Sequence, residues 1–218
     1  MSEPVRAQLW LPADHWINPA ATAIFKRTAG LLGWQIVASG SSNITNQEVI
    51  FNFLRRARIP PNCQSRAINI HPASGCYPGV GGASRALLEG ATRFGACAHL
   101  VTERYDEGDI VWEEGFIVDH KISAEGLLFA AELLSLRILT QAMMLVAREG
   151  IDLQSWSKAV RSFWRGPYCS RTALKEKMTV DVGAGPEVIG RVVRAFHYPG
   201  KPGPYLRFGG HLFSLVVE

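Results

Sequence analysis

Residues 67–72 of this chain read AINIHP, and this stretch decides how the surrounding sequence is interpreted. Apolar residues that alternate with polar ones are typical of a half-buried β-strand, and Pro72 ends the strand. Residues two apart on a strand point to the same face, so Asn69 and His71 share one face. His71 then lies at the carboxyl end of the strand, where open α/β sheets bind their ligands.

The segments around this strand alternate between short apolar runs and helical patterns, which predicts an α/β fold with a mostly parallel, doubly wound sheet. Strands are predicted at residues 8–11, 34–38, 48–54, 67–71, 96–102 and 110–118. Helices are predicted at residues 19–32, 83–90 and 123–150, with Asn18 capping the first and Ser123 the last. After residue 150 the sequence becomes polar and mixed. We therefore expect one domain at residues 1–180 and a small C-terminal β-hairpin appendage at residues 181–218.

The composition of the 218 residues is that of a globular protein, with 47% hydrophobic and 19% charged residues. The four cysteines are widely spaced and form no CxxC pair, which argues against a disulfide framework and a structural zinc site. The first residues lack the pattern of a signal peptide. We therefore expect reduced thiols, a cytoplasmic location and no bound metal.

The apolar stretch at residues 127–146 is long enough for a membrane span, but it contains Glu132, Arg137 and Gln141. Charges near the centre of a span are costly, so a buried core helix is favoured and no membrane partner is expected. The net charge of +4 would attract anionic ligands, although a solvated surface with a small positive excess explains it more simply. No tract rich in lysine and arginine is present, so nucleic acid is not expected as a partner.

Asn69 and His71 form the first candidate site, because an amide beside an imidazole suits the stabilisation of an oxyanion while a proton moves. A histidine at a strand end is often structural, so the pair alone is a weak signal. Asp106 lies in an acidic glycine turn before a strand, and a carboxylate beside His71 would raise the pKa of the imidazole and keep it charged. A turn without a role is the alternative. The glycine-rich segment 77–82 matches neither a P-loop nor a dinucleotide-binding motif.

The order of these pieces is more informative than any one of them. Residues 69–72 (NIHP), 77–79 (YPG), 95–99 (GACAH) and 106–110 (DEGDI) together resemble the folate-dependent formyltransferase family, and among its members the amino-sugar N-formyltransferases most closely. The resemblance is dense over residues 59–118. It implies a Rossmann-like formyltransferase domain, 10-formyltetrahydrofolate as the formyl donor, and catalytic roles for Asn69, His71 and Asp106.

The same resemblance implies the binding residues. Backbone edges that line the pterin pocket of the donor would be supplied by Arg58, Ile59 and Pro60 and by Val101, Thr102 and Glu103. Tyr77 and Gly79 would contact the acceptor. This sequence departs from the family in two ways: the part before Asn69 is shorter than in the larger members, and Asp109 adds a carboxylate to which no role is assigned.

The acceptor is expected to be the primary amine of a nucleotide-linked amino sugar. The tail after residue 190 is similar to the tails of sugar N-formyltransferases, and it is too short for a tRNA-contacting domain. Two alternatives stay open: a formyltransferase for another amine (an amino acid, a peptide precursor or an aminoacyl-tRNA), and a non-catalytic folate- or nucleotide-binding module. The presence of all three candidate catalytic residues favours an enzyme.

Two further expectations concern surfaces. Residues 190–218 are predicted to form a hairpin-like β unit with more apolar surface than it can bury alone, so it should pack on the catalytic domain or on a second copy of the chain. Because related sugar formyltransferases pair through their C-terminal regions, we expect a homodimer. Arg55, Arg56 and Arg58 would attract the glutamate tail of the donor or the phosphates of the acceptor, with a solvated arginine cluster as the alternative.

Overall fold

The computed structural model describes residues 3–39, 44–55, 58–158, 162–201 and 203–215. The main sheet is built from six strands, β1 Arg6–Trp10, β2 Gln35–Ile36, β3 Glu48–Phe53, β4 Ala67–His71, β5 Arg93–Leu100 and β6 Ile110–Ile117. They are arranged in the order β2-β1-β3-β4-β5-β6. The first four strands run parallel, and β5 and β6 join β4 as an antiparallel pair. The predicted α/β class with a mostly parallel sheet is confirmed.

Six α-helices accompany the strands in the described part of the chain. They are α1 Asn18–Leu31, α2 Pro61–Gln64, α3 Gly82–Leu88, α4 Ala124–Glu149, α5 Arg171–Lys177 and α6 Pro186–Phe196, and a 3₁₀ helix spans Leu153–Lys158. A second sheet has the order β7-β8-β9, with β7 at Thr179–Asp181, β8 at Tyr205–Phe208 and β9 at His211–Ser214. We call it the C-terminal sheet.

The long helix α4 lies against the main sheet. Among the described residues it is the helix that is long and apolar enough to cross a membrane, yet half of its most apolar window is buried. Ile138, Leu139 and Met143 pack in one core cluster with Phe51 and Ile70 of the sheet. The Ser123 hydroxyl accepts a hydrogen bond from the Gly126 N–H at 3.0 Å, which is the predicted N-terminal cap. These contacts are those of the predicted core helix.

Asn18 does not cap α1, so that prediction is wrong. Asn18 is the first helical residue, and the cap position is taken by Ile17. The Asn18 amide instead donates to the carbonyl of Pro12 at 2.8 Å, which ties the start of the helix to the loop after β1. Pro19 still occupies the first turn, where its missing N–H has no consequence.

The C-terminal tail is not entirely β. Residues 205–214 form the predicted hairpin, but residues 190–196 belong to α6. Valines there favour a strand locally, whereas Val192, Ala195 and Phe196 recur at helical spacing and are buried in one cluster with Ala86 of α3. Burial on α3 therefore outweighs the local preference. Much of the apolar surface of the tail packs on the main domain, and β7, which spans residue 180, belongs to the C-terminal sheet.

Candidate active site

Three polar side chains cross the main sheet in one row at the carboxyl end of β4. Asn69 of β4 is in register with Asn52 of β3 on one side and with His99 of β5 on the other. The Asn52 amide donates to Asn69 Oδ1 at 2.6 Å, and Asn69 Nδ2 lies 2.8 Å from His99 Nε2. We call Asn52, Asn69 and His99 the polar row. It places an amide N–H of Asn69 at the edge of the sheet where ligands of α/β folds bind.

Asp106 reaches this row from the turn before β6. One carboxylate oxygen lies 3.2 Å from His99 Nε2, and the other lies 3.8 Å from His71 Nδ1. The second oxygen also accepts the backbone N–H of Gly79 at 2.7 Å. Asp106 has a φ of +52°, a left-handed conformation that is uncommon for residues other than glycine but that aspartate tolerates. The structure thus brings Asn69, His71 and Asp106 together, although 37 positions separate the first from the last.

The charge state of His71 differs from the expectation. Burial lowers the pKa of His71, and the nearby Asp106 carboxylate raises it by less than burial lowers it. The His71 side chain is only 12% exposed, and its Nδ1 is too far from the carboxylate for a short hydrogen bond. Burial therefore lowers the pKa of His71 and favours its neutral form, contrary to the prediction that Asp106 keeps it charged.

Asp106 itself stays ionised. Burial alone would raise the pKa of this carboxyl, but His71, His99 and the Gly79 N–H together lower the pKa well below its usual range. The resting pair is thus an anionic carboxylate beside a neutral imidazole. The Nε2–H of His71 faces the carbonyl oxygen of Tyr77 at 3.3 Å, which leaves Nδ1 as the unprotonated nitrogen on the side of Asp106.

A segment from far along the chain covers the two histidines. The ring of Trp164 makes edge contacts with His71 at 5.8 Å and with His99 at 5.1 Å between ring centroids. Its indole N–H donates to the carbonyl of Gly108 at 2.8 Å. Residues 162–170, which we call the covering segment, are held down by backbone bonds such as that from Arg165 to Gly75 at 2.7 Å. Trp164 therefore supplies part of the burial that keeps His71 neutral.

The loop that contains Tyr77 and Gly79 is fixed from several sides. The Tyr77 ring is 6% exposed and packs on Phe94, so only its backbone carbonyl faces the site. Gly79 has a φ of +88°, and a Cβ there would lie 2.2 Å from the carbonyl oxygen of Cys169 in the covering segment. Arg85, which is 2% exposed, donates to the carbonyls of Pro78 at 2.8 Å and of Pro167 at 3.0 Å. Arg85 thus ties this loop to the covering segment.

The site lies within a stretch that matches a known family. Residues 57–142 match the family model described as formyl transferase. This segment belongs to the formyl transferase family. The match includes the polar residues Asn69, His71, His99 and Asp106, and it confirms the family predicted from the sequence. No curated protein sequence gives a significant match to the chain.

Several solved structures share the fold of this chain over nearly its whole length. A 4-N formyltransferase from Francisella tularensis is 16% identical, with 98% of both chains covered and a TM-score of 0.71. A sugar N-formyltransferase from a Shewanella species is 11% identical, with 98% of this chain and 97% of that chain covered and a TM-score of 0.70. An N-formyltransferase from Helicobacter canadensis, in complex with folinic acid and dTDP-3-aminofucose, is 13% identical, with 95% and 85% covered and a TM-score of 0.66. At these identities the likeness shows the fold.

The two segments predicted to line the donor pocket lie side by side. The Arg58 guanidinium donates to the carbonyl of Glu103 at 2.6 Å. Ile59 is buried in a small cluster against which Val101 packs, and the Ile59 carbonyl accepts from the Gln64 amide at 3.1 Å. The predicted residues of these segments are Arg58, Ile59, Pro60, Val101, Thr102 and Glu103. Their contact with a ligand stays a prediction.

No role is predicted from the sequence for three residues of the site, Asn52, His99 and Trp164. His99 ends the motif 95–99, and two signals pointed to it: it is a polar residue among the apolar residues of a predicted strand, and it lies seven residues before Asp106. Trp164 gives no local signal, because nothing in the sequence shows that a segment 93 residues after His71 folds across it. Within the described ranges, no group of three or more histidine, cysteine or acidic side chains could hold a metal ion.

Proposed function

We propose that this formyltransferase moves a formyl group from 10-formyltetrahydrofolate to the primary amine of a nucleotide-linked amino sugar. The observation that carries the proposal is the convergence of Asn69, His71 and Asp106 at the carboxyl end of β4, within a segment of the formyl transferase family. The reaction requires a hydrogen-bond donor for a developing oxyanion and an acceptor for the proton of the amine. The site contains both.

The amide of Asn69 supplies the donor. One of its two N–H groups lies against His99 Nε2, and the other is available for the carbonyl oxygen of the formyl group. Attack by the uncharged amine forms a C–N bond and turns that oxygen into an oxyanion. A fixed N–H stabilises the new charge without reorganisation during the reaction.

His71 and Asp106 accept and stabilise the proton that the attacking amine releases. Because burial keeps His71 neutral, its Nδ1 can accept the proton that the amine releases after attack. The resulting imidazolium lies 3.8 Å from the ionised Asp106 carboxylate, which stabilises it. The same proton then passes to the nitrogen of the folate as the bond between that nitrogen and the formyl carbon breaks, so the site ends the cycle in its starting protonation state.

The donor fits the paired segments beside the site. Arg58 joins the two segments, and the neighbouring Arg55 lies over the ring of Trp10 at 5.0 Å with one buried guanidinium nitrogen that has no partner among the described residues. Such a nitrogen suits the carboxylates of a glutamate tail. Arg56 lies outside the described residues. The structure from Helicobacter canadensis holds folinic acid, which supports a folate donor for the shared fold.

The nature of the acceptor rests on the relatives. The structures from Shewanella and Helicobacter canadensis are described as a sugar N-formyltransferase and as a complex with dTDP-3-aminofucose, and the matches to them cover 98% and 95% of this chain. Tyr77 and Gly79 would then contact the acceptor through their backbone, because the Tyr77 ring is buried. We expect the enzyme to act in the cytoplasm.

A turnover screen tests the proposal. The purified protein is incubated with 10-formyltetrahydrofolate and, in turn, dTDP-, UDP- and GDP-linked amino sugars, and the formylated product is identified by mass spectrometry. Formylation of at least one nucleotide sugar is expected. Formylation of free amino acids or aminoacyl-tRNA alone would identify another amine as the acceptor. Tight binding of folate with no turnover on any amine would instead support a non-catalytic module.

A further inference from the structure

We infer that Asn52 is a positioning residue, which fixes the direction in which the amide of Asn69 faces. Asn52 is 3% exposed and lies on β3, one strand away from the candidate catalytic asparagine. Its side-chain NH₂ lies against the Arg55 carbonyl and Oδ1 of Asn69. The inference rests on the proposed function, because it concerns the donor that this reaction requires.

The first step of the argument is the orientation of Asn52 itself. Its Nδ2 lies within hydrogen-bond distance of two oxygens, the backbone carbonyl of Arg55 at 3.1 Å and Oδ1 of Asn69 at 2.6 Å. A backbone carbonyl is only an acceptor, so the group facing it must be the NH₂ of Asn52. The reversed amide would set its oxygen against the Arg55 carbonyl, which is repulsive. The backbone of Arg55 thus fixes Asn52.

The orientation of the Asn52 amide in turn determines the orientation of the Asn69 amide. The NH₂ of Asn52 requires an acceptor, so Oδ1 of Asn69 faces β3 and its NH₂ faces His99. The far end of the polar row agrees with this arrangement. His99 Nδ1 lies 2.9 Å from the carbonyl of Leu100 and donates to it, and His99 Nε2 lies 2.8 Å from Asn69 Nδ2 and 3.2 Å from an oxygen of Asp106. In the tautomer with its proton on Nδ1, the Nε2 atom accepts the N–H of Asn69. The direction that the backbone of Arg55 sets at one end of the row is therefore the one that this tautomer accepts at the other end.

Packing alone does not explain an asparagine at position 52. Its Oδ1 is buried and has no hydrogen-bond partner among the described residues. A buried amide oxygen without a partner is destabilising, and a leucine of similar shape would avoid that penalty. The feature that a leucine lacks is the N–H directed at Asn69.

The kinetic test uses N52D and N52L, each alone and combined with N69A. The carboxylate of N52D accepts but does not donate, so it repels Oδ1 of Asn69 and reverses that amide. We expect N52D to lower kcat on the order of 100-fold and N52L about 10-fold, as for loss of an oxyanion donor. KM for both substrates should change less than roughly threefold, because the donor acts in the transition state. When Asn69 is already replaced by alanine, adding N52D should lower kcat by less than about twofold relative to N69A alone.

N46D is the matched control, because Asn46 precedes β3 at the opposite end of the strand and the charge change is the same. Its kcat should stay near that of the unmodified protein. Equal losses of kcat from N52D with and without Asn69, or an unchanged kcat in N52D, would overturn the inference.

A measurement without substrate separates this inference from the proposed reaction. The ¹⁵N signals of the His99 ring should show a proton on Nδ1 and a lone pair on Nε2 in the unmodified protein. In N52D the reversed Asn69 amide presents its oxygen to Nε2, which should then carry a proton. Unchanged His99 signals in N52D overturn the role of Asn52 whether or not the protein transfers formyl groups. If N52D does not fold, N52L gives the same test, because loss of the bias should mix the two His99 states.

Discussion

At the carboxyl end of β4, Asn69, His71 and Asp106 are largely buried, and each has a polar partner from a different element. In the C-terminal sheet, all four residues of β9 are exposed, and the described ion pairs, such as that of Arg207 with Glu176, lie on the surface. The first region has little freedom, because every group is fixed by a neighbour distant in the sequence. The C-terminal sheet is held by the hydrogen bonds between its short strands and by apolar contacts on one face. It should therefore tolerate substitutions that the region around β4 does not.

Removal of a candidate catalytic side chain should give the largest effect. We expect N69A to lower turnover by roughly 10²–10³-fold, because one fixed donor to the oxyanion is lost. H71A should be at least as damaging and D106N nearly so, since each removes part of the proton path. Steady-state kinetics on the acceptor found in the screen measures this. The affinity for folate, measured by calorimetry, should change much less than turnover.

A matched substitution in the C-terminal sheet sharpens this comparison. F208A removes an exposed side chain and should leave turnover unchanged. Near-normal turnover in all three site variants would show that the chemistry is performed elsewhere.

A pair of glycine substitutions compares the two regions directly. Gly79 and Gly210 have similar φ angles of +88° and +80°, so alanine is strained to a similar degree at both. A Cβ at Gly79 would clash with the Cys169 carbonyl, whereas a Cβ at Gly210 meets nothing within 4 Å. We expect G79A to reduce the free energy of unfolding by about 2 kcal/mol more than G210A, as for overpacking of a buried site. Urea denaturation measures the difference.

Activity provides a second readout of the glycine pair. The Gly79 N–H donates to Asp106, so G79A should also lower turnover, while G210A should not. Equal stabilities and activities of the two variants would contradict the view that contacts with the covering segment fix the loop around Gly79.

The two regions also differ in how far the sequence predicted them. Strand β4 was predicted at its observed bounds, because alternation and a terminal proline are local signals. The convergence of Asn69, His71 and Asp106 followed from their order in a family motif. The roles of Asn52 and Trp164 did not follow, since strand register and a covering segment are set by contacts between distant parts of the chain. The helix α6 was missed because burial against α3 outweighed the strand preference of its valines.

The exposed face of the C-terminal sheet provides the next prediction. Phe208 and Phe213 lie on one face of this hairpin and are 60% and 51% exposed, and exposed apolar patches on soluble proteins usually mark contacts. We expect a homodimer that forms through this face. The F213S substitution should raise the dissociation constant of the dimer about tenfold. Sedimentation at micromolar concentration measures the dimer. L31S, which changes an exposed leucine on α1, should not affect it. A single species of 24.0 kDa for the unmodified protein would rule the dimer out.

The arginine cluster should have a smaller effect on ligand affinity. Replacement of Arg55, Arg56 and Arg58 by alanine should weaken binding of the folate donor roughly three- to tenfold at low salt and less at high salt, because salt screens the attraction. The control replaces Arg191, Arg194 and Arg207 of the C-terminal part, which removes the same charge. Equal weakening by both triple variants would assign the effect to net charge, and a salt-independent loss would assign it to the bond from Arg58 to Glu103.

The smallest expected effect concerns the pH dependence of stability. Burial lowers the pKa of His71 in the folded protein, whereas in the unfolded chain the pKa of this histidine is about 6.5. As the pH falls from 7.5 to 5.5, the unfolded chain gains a proton at this histidine that the folded state does not readily accept. Stability should therefore fall with pH in this window, and H71Q should lose that part of the decline. The lowered pKa of Asp106 does not interfere, because the stability it provides is lost only at more acidic pH. Urea denaturation of both proteins at the two pH values measures the difference. If the unmodified protein instead gains stability relative to H71Q as the pH falls, the Asp106 carboxylate outweighs burial, and the imidazole is charged before the amine arrives.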